Sequence, residues 1–122
     1  MSRWQVPVHA PGIVFVHGTR LTRAQWWPQL RRLAGAYRCV AVDLPGHGVL
    51  SDRPFTTDAA SELVRAAIEA EIPSGRAVIV GLSLGGYVAI DTAEAHPECV
   101  AGLVLAGCSG EAVGPMSWPY RF

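Results

Sequence analysis

Four short apolar runs decide what this chain can fold into. Ile13-Val14-Phe15-Val16, Cys39-Val40-Ala41-Val42, Ala77-Val78-Ile79-Val80 and the stretch from Val100 to Ala106 are continuous, not alternating. A strand with one wet face alternates apolar and polar side chains, whereas a strand buried on both faces has no such need. Each run closes on turn formers: His17-Gly18 after the first, Asp43 and then Pro45-Gly46-His47-Gly48 after the second, Gly81 after the third, Gly107 after the fourth. Helical spacing fills the gaps. Residues 25–33 follow the first run, with Trp26 and Trp27 at the start, Pro28 tolerated in a first turn and Gly35 placed as a stop. Thr57 or Asp58 can cap a second helix through Glu71, whose Ala60, Leu63, Val64, Ala67 and Ile68 form one apolar stripe. Leu84 to Ala95, stopped by His96-Pro97, is the least amphipathic of the three and is expected to be the most buried.

Strict alternation of strand and helix implies the α/β class: a mostly parallel sheet of about four strands, with right-handed crossovers and helices on both faces. Ligands of such sheets bind at the carboxyl ends of the strands, which singles out the loops at 18–23, 44–50, 82–86 and from Cys108 onward. The 122 residues make one domain, and half of them are hydrophobic with 16% charged. That is apolar for a small domain covering its own surface, so the composition anticipates further protein packed against it. Ten basic and ten acidic residues cancel and are scattered along the chain, which leaves no footprint for nucleic acid or for a polybasic membrane anchor. No run approaches the ~18 apolar residues that span a bilayer, and residues 1–12 hold no signal-peptide core. A cytoplasmic protein without a membrane partner is expected. Cys39, Cys99 and Cys108 have neither metal nor disulfide spacing, and no cofactor or metal is implied.

Gly81-Leu82-Ser83-Leu84-Gly85-Gly86 joins the third run to the third helix, which is G-x-S-x-G in the strand-to-helix setting that gives the pattern meaning. A turn this sharp strains its central residue and lifts that side chain clear of the sheet. The residues two positions to either side then lie against neighbouring backbone and must be small, as Gly81 and Gly85 are. Ser83 is thus the candidate nucleophile, with the positive end of a helix beneath it. His17-Gly18-Thr19 ends the first run at the same edge, and Gly18 permits a turn that aims the Thr19 N–H at a reacting carbonyl oxygen. With the Leu84 N–H it makes a two-donor oxyanion hole, in which one donor is worth ~3 kcal/mol in the transition state. His17 reads as a packing residue that hydrogen-bonds its loop. Asp43, Gly46, His47 and Gly48 read as a tight turn in which Asp43 holds loop N–H groups, not as a triad with Ser83.

In this order, the strand ending in His17-Gly18-Thr19, the Asp43-Leu44-Pro45-Gly46-His47-Gly48 turn, the Ser83 turn and His96-Pro97-Glu98 before the fourth run resemble the α/β-hydrolase superfamily. The likeness is to its serine esterase, lipase and C–C hydrolase branch and covers residues 12–107. It implies the central strands of that fold, Ser83 as nucleophile, the Thr19 and Leu84 amides as oxyanion donors, and a small-molecule acyl substrate. A serine at this turn speaks against the dehalogenase and epoxide-hydrolase relatives, which place aspartate there.

In that family the acid and the histidine follow the nucleophile along the chain, on loops beyond an inserted lid. Here only Asp91, Glu94, Glu98, Glu111 and His96 follow Ser83. His96 stands at the far end of the helix, ~18 Å from the turn at ~1.5 Å per residue. The resemblance therefore marks residues 1–122 as the amino-terminal part of one hydrolase domain. Residues 110–122 are the approach to a lid, residues 1–12 leave little room for a leading hairpin, and part of one sheet face is uncovered. Leaving several hundred Å² of that face wet forfeits on the order of 10 kcal/mol at ~25 cal/mol per Å², comparable with a domain's whole stability. Self-association through that face is expected. Two readings stand. The first is a serine hydrolase of carboxylic esters or related acyl compounds acting through an acyl-enzyme; as these 122 residues alone it is nearly inert, since losing triad members costs roughly 10⁴ to 10⁶ in rate. The second is a non-catalytic hydrolase-like fragment or binding scaffold. A thioesterase, lactonase, C–C hydrolase or haloperoxidase relative would read the same.

Overall fold

The computed structural model describes residues 7–108; residues 1–6 and the lid approach read at 110–122 lie outside the described residues. Four strands, β1 (Gly12–Val16), β2 (Cys39–Val42), β3 (Ala77–Leu82) and β4 (Val100–Ala106), form one sheet in the order β2-β1-β3-β4, with every pair parallel. Helix α1 (Trp27–Leu33) joins β1 to β2, α2 (Thr57–Glu71) joins β2 to β3, and α3 (Leu84–Ala95) joins β3 to β4. The chain leaves β1 toward one side and returns across it to β3 on the other. That reversal falls between β1 and β3, where an open parallel sheet has its crevice at the carboxyl ends. Register keeps those ends level: Val16 lies beside Val42 on one flank and Gly81 on the other.

Side chains from alternate strand positions supply the two faces. Val14, Val16, Val42, Ala77 and Ile79 belong to one buried cluster, which α2 and α3 complete with Ala60, Val64, Ile68, Val88 and Ala89. The α2 stripe packs as its spacing requires, with Ala60, Val64 and Ile68 fully buried and Leu63 and Ala67 partly so. Its cap falls one residue before the expected pair. Thr56 takes an extended backbone and its hydroxyl accepts from the Ala59 N–H at 3.0 Å, which leaves Thr57 and Asp58 in the first turn, where a carboxylate suits the helix dipole. Half of α3 is buried, the largest share of the three helices.

The opposite face carries α1, which is shorter than the expected 25–33. A 3-10 turn, Arg23–Trp26, precedes it, capped by the Thr22 hydroxyl on the Ala24 N–H. The physical reason is Pro28: in a helix begun at Gln25 it would fall where the first ladder bond is needed, and in one begun at Trp27 it falls where no N–H is missed. The two tryptophans part company here. Trp26 is buried with its ring 5.0 Å from Phe15, while Trp27 is 56% exposed. No helix among the described residues is long and apolar enough to cross a membrane.

Candidate active site

Strand β3 runs on through Gly81 and Leu82, and α3 begins at Leu84, so Ser83 alone makes the turn. Its backbone sits at φ 52°, ψ −112°, a region that costs a non-glycine residue ~1–3 kcal/mol and persists only where the surroundings enforce it. They do so from three directions. The Ser83 N–H donates to the Ala106 carbonyl of β4 at 2.8 Å, and the Gly86 and Tyr87 N–H groups donate back to the Ser83 carbonyl at 2.9 and 3.3 Å. A Cβ on Gly81 would strike the Gly85 carbonyl, and one on Gly85 would strike the carbonyls of Val16 and His17. At Gly86 the neighbour is a side chain: Cys108 Sγ occupies the place a Cβ would take. No spacing rule announces that last contact; it comes from the end of β4 folding over the start of α3. Ser83 is half-buried, and its hydroxyl makes no hydrogen bond among the described residues.

The turn after β1 lies against the same corner. Gly18 packs on Leu82, a Cβ there falling 3.4 Å from the Leu82 carbonyl, and its N–H donates to Gln25 Oε1 at 3.3 Å. Thr19 is exposed, and Arg20 beside it takes a left-handed backbone at φ 63°. Among the described residues the N–H groups of Thr19 and Leu84 donate to no acceptor. The Leu84 amide opens α3 and the Thr19 amide follows the end of β1, the strand paired with β3.

The polar residues after β1 and β2 are committed to one another. His17 is fully buried; its Nε2 accepts from the Leu44 N–H at 3.0 Å, so its Nδ1 carries the proton and donates to the Gly18 carbonyl at 2.8 Å. Burial pushes its pKa below 6.5; the Gly18 bond opposes that shift, the neighbouring His47 adds to it and Asp43 opposes it. With both ring nitrogens engaged, His17 has none left for Ser83. His47 stacks 5.0 Å from His17 and 6.4 Å from Phe55, with Nδ1 3.0 Å from the Pro45 carbonyl. Asp43 accepts from the Arg23 N–H at 2.7 Å through Oδ1 and from the Val49 N–H at 3.2 Å through Oδ2, and the Arg23 guanidinium lies 3.8 Å away. Its carboxylate fills the space that a side chain on Gly48 (φ 52°) would need, and Gly46 turns the same loop at φ 80°.

His96 caps the far end of α3, between Glu62 at 3.7 Å and Glu98 at 3.9 Å. Asp91 lies along α3, its carboxyl pushed up by burial and by the nearby Asp58 and Glu94. The fold puts Ser83 and Leu84 after β3 and Thr19 after its neighbour β1, and it gives His17, His47 and His96 other partners while His9 lies exposed ahead of β1. Among the described residues no group of three or more histidines, cysteines or acids is placed to hold a metal ion.

A family model for the alpha/beta hydrolase family matches residues 13–122. The chain belongs to that family. It is 40% identical over 111 residues to the pimeloyl-[acyl-carrier protein] methyl ester esterase of Xanthomonas campestris pv. campestris, an overlap of 91% of this chain and 42% of that protein. Among solved structures, a thermophilic esterase from Thermogutta terrifontis superposes with a TM-score of 0.76 at 28% identity, covering 88% of this chain and 40% of the other. NosK from Streptomyces actuosus gives 0.73 at 32% identity, covering 88% and 47%. The hydrolase chain described here spans about two fifths of the length of the curated relatives it matches.

Proposed function

We propose that Ser83 is the nucleophile of a hydrolase acting on carboxylic esters or related acyl compounds. The observation that carries the reading is the forced geometry of Ser83, φ 52° and ψ −112° between two glycines that tolerate no Cβ. In the proposed reaction Ser83 Oγ attacks the acyl carbon while its proton passes to a general base. The carbonyl oxygen becomes an anion facing the amides of Thr19 and Leu84. The C–O bond to the alcohol breaks, the alcohol leaves with the proton, and water then releases the acid and restores the serine hydroxyl. The acid and the base belong to protein outside the described residues. The esterases of Xanthomonas and Thermogutta favour an ester over the other acyl substrates, and methyl esters of carrier-bound acyl chains are the first substrates to assay.

A fluorophosphonate probe tests the assignment. In the full gene product the probe labels Ser83, and Ser83→Ala abolishes labelling; absence of labelling there would remove the hydrolase reading and leave a binding scaffold. The 122-residue chain alone labels more slowly by roughly 10⁴-fold or more, because a serine hydroxyl without an adjacent base is a weak nucleophile.

A further inference from the structure

The charges that read as scattered are in fact sorted along the chain. From Pro11 to Val42 the sequence holds five arginines and no acidic residue, whereas from Thr57 to Cys99 it holds seven acidic residues against Arg65 and Arg76. The first segment builds the β1 loop and α1; the second builds α2, α3 and the strands between them. The nearest carboxylate to the basic segment, Asp43, is buried and occupied by the Arg23 and Val49 amides. Among the described residues Arg20, Arg31 and Arg32 have no ion pair, and all three are exposed. Arg23, Trp27 and Arg31 recur every fourth residue through the 3-10 turn and α1, and Trp27 is 56% exposed.

We propose that this face docks a carboxylate-rich segment of another protein. Four features choose the partner. All ten basic residues of the chain are arginine, whose planar guanidinium pairs side-on with a carboxylate and loses little order in doing so. Tryptophan and arginine together are the side chains that most often dominate protein interfaces. The patch is one short helix and a turn, ~20 Å end to end at ~1.5–2 Å per residue, which matches a helix or loop of a partner better than a long polymer. Finally, the acidic α2 and α3 layer repels any polyanion that reaches beyond the patch, and so turns away nucleic acid and anionic membrane. The proposal stands independently of the chemistry at Ser83.

Fluorescence anisotropy on the full gene product tests it, with a labelled oligoglutamate peptide no longer than the patch as the probe and a single-stranded DNA oligonucleotide of equal charge alongside. The expected result is binding at low salt that weakens as ionic strength rises and falls at least tenfold in both Arg31→Glu/Arg32→Glu and the milder Arg31→Gln/Arg32→Gln. Trp27→Ala weakens it further, while Arg76→Glu, in the loop ahead of β3, and Ser83→Ala leave it unchanged. Circular dichroism checks that each variant keeps its helices. Equal binding by the α1 variants, or no binding at low salt, would overturn the proposal. Tighter binding of the DNA would assign the patch to nucleic acid instead, and a dimer in sedimentation velocity that Arg31→Glu/Arg32→Glu dissolves would assign it to a second copy.

Discussion

On one face of the sheet, Val14, Val16 and Ile79 are completely buried beneath α2 and α3. On the other, Ile13, Val78, Val80 and Val104 line an open groove of about 520 Å³ beside Tyr37. The strands are the same in both cases, so the difference lies in the helices. The two that close the first face run 15 and 12 residues and both bury side chains, whereas α1 runs seven residues and buries none. A parallel sheet reads as apolar on both faces whether or not each face is covered. Coverage is therefore a property of the whole assembly: among the described residues one face is closed along the sheet, while on the other Phe15 is buried against Trp26 and the groove beyond it stays open. The exposure of Val104, at 52%, and of Leu103 and Leu105 beside it marks β4 as the strand where further protein is most needed.

The sharpest way to break this contrast is to shorten neighbouring side chains on β3 that point to opposite faces. Ile79→Ala is expected to cost about 3–4 kcal/mol in urea unfolding, through lost burial and a cavity that α2 and α3 cannot fill. Val80→Ala, one residue on and facing the groove, is expected to cost about 1 kcal/mol or less, because no packed layer collapses around it. Equal costs would mean that the two faces are equally closed in solution.

A second test acts at the carboxyl edge where the two layers meet. His17 is neutral in the folded chain, its pKa held below 6.5 chiefly by burial. Unfolded, the same ring takes up a proton near pH 6.5, so the unfolded state binds the extra proton and acid favours it. Stability is full above pH 6.5 and is lost as the pH falls from there toward the lowered folded value. Thermal unfolding scanned between pH 8 and pH 5 reads this directly, and replacing His17 by Gln is expected to flatten the slope. A slope that persists unchanged would place the titrating group elsewhere.

The smallest expected effect concerns the open face itself. The 122-residue chain is expected to show concentration-dependent association in sedimentation velocity, and Val104→Lys to shift the midpoint several-fold toward monomer by placing a charge on the exposed strand. An unchanged midpoint would take the contact away from β4.

Much of this architecture was legible in advance. Continuous apolar runs separated by helical spacing placed the four strands and three helices along the chain, and Gly81 and Gly85 fixed the Ser83 turn because backbone passes within contact distance of both. The misreadings were local. Thr56 caps α2 ahead of the expected pair because several adjacent residues have side-chain oxygens and only the extended one can reach the Ala59 amide. Residues 25–33 split into a 3-10 turn and a shorter helix because Pro28 admits one starting point.

Sequence alone determined the alternation of strand and helix, the sharp turn at Ser83 and the distance of His96 at the far end of the following helix, since each depends on side-chain size and spacing along the chain. Tertiary structure decided what depends on distant segments meeting. It set Cys108 against Gly86, locked His17 between Leu44 and Gly18, split Trp26 from Trp27 and left Arg20, Arg31 and Arg32 exposed. The reason is that a parallel sheet pairs strands through long crossovers, so neighbours in space are set by topology and register, which no local pattern encodes.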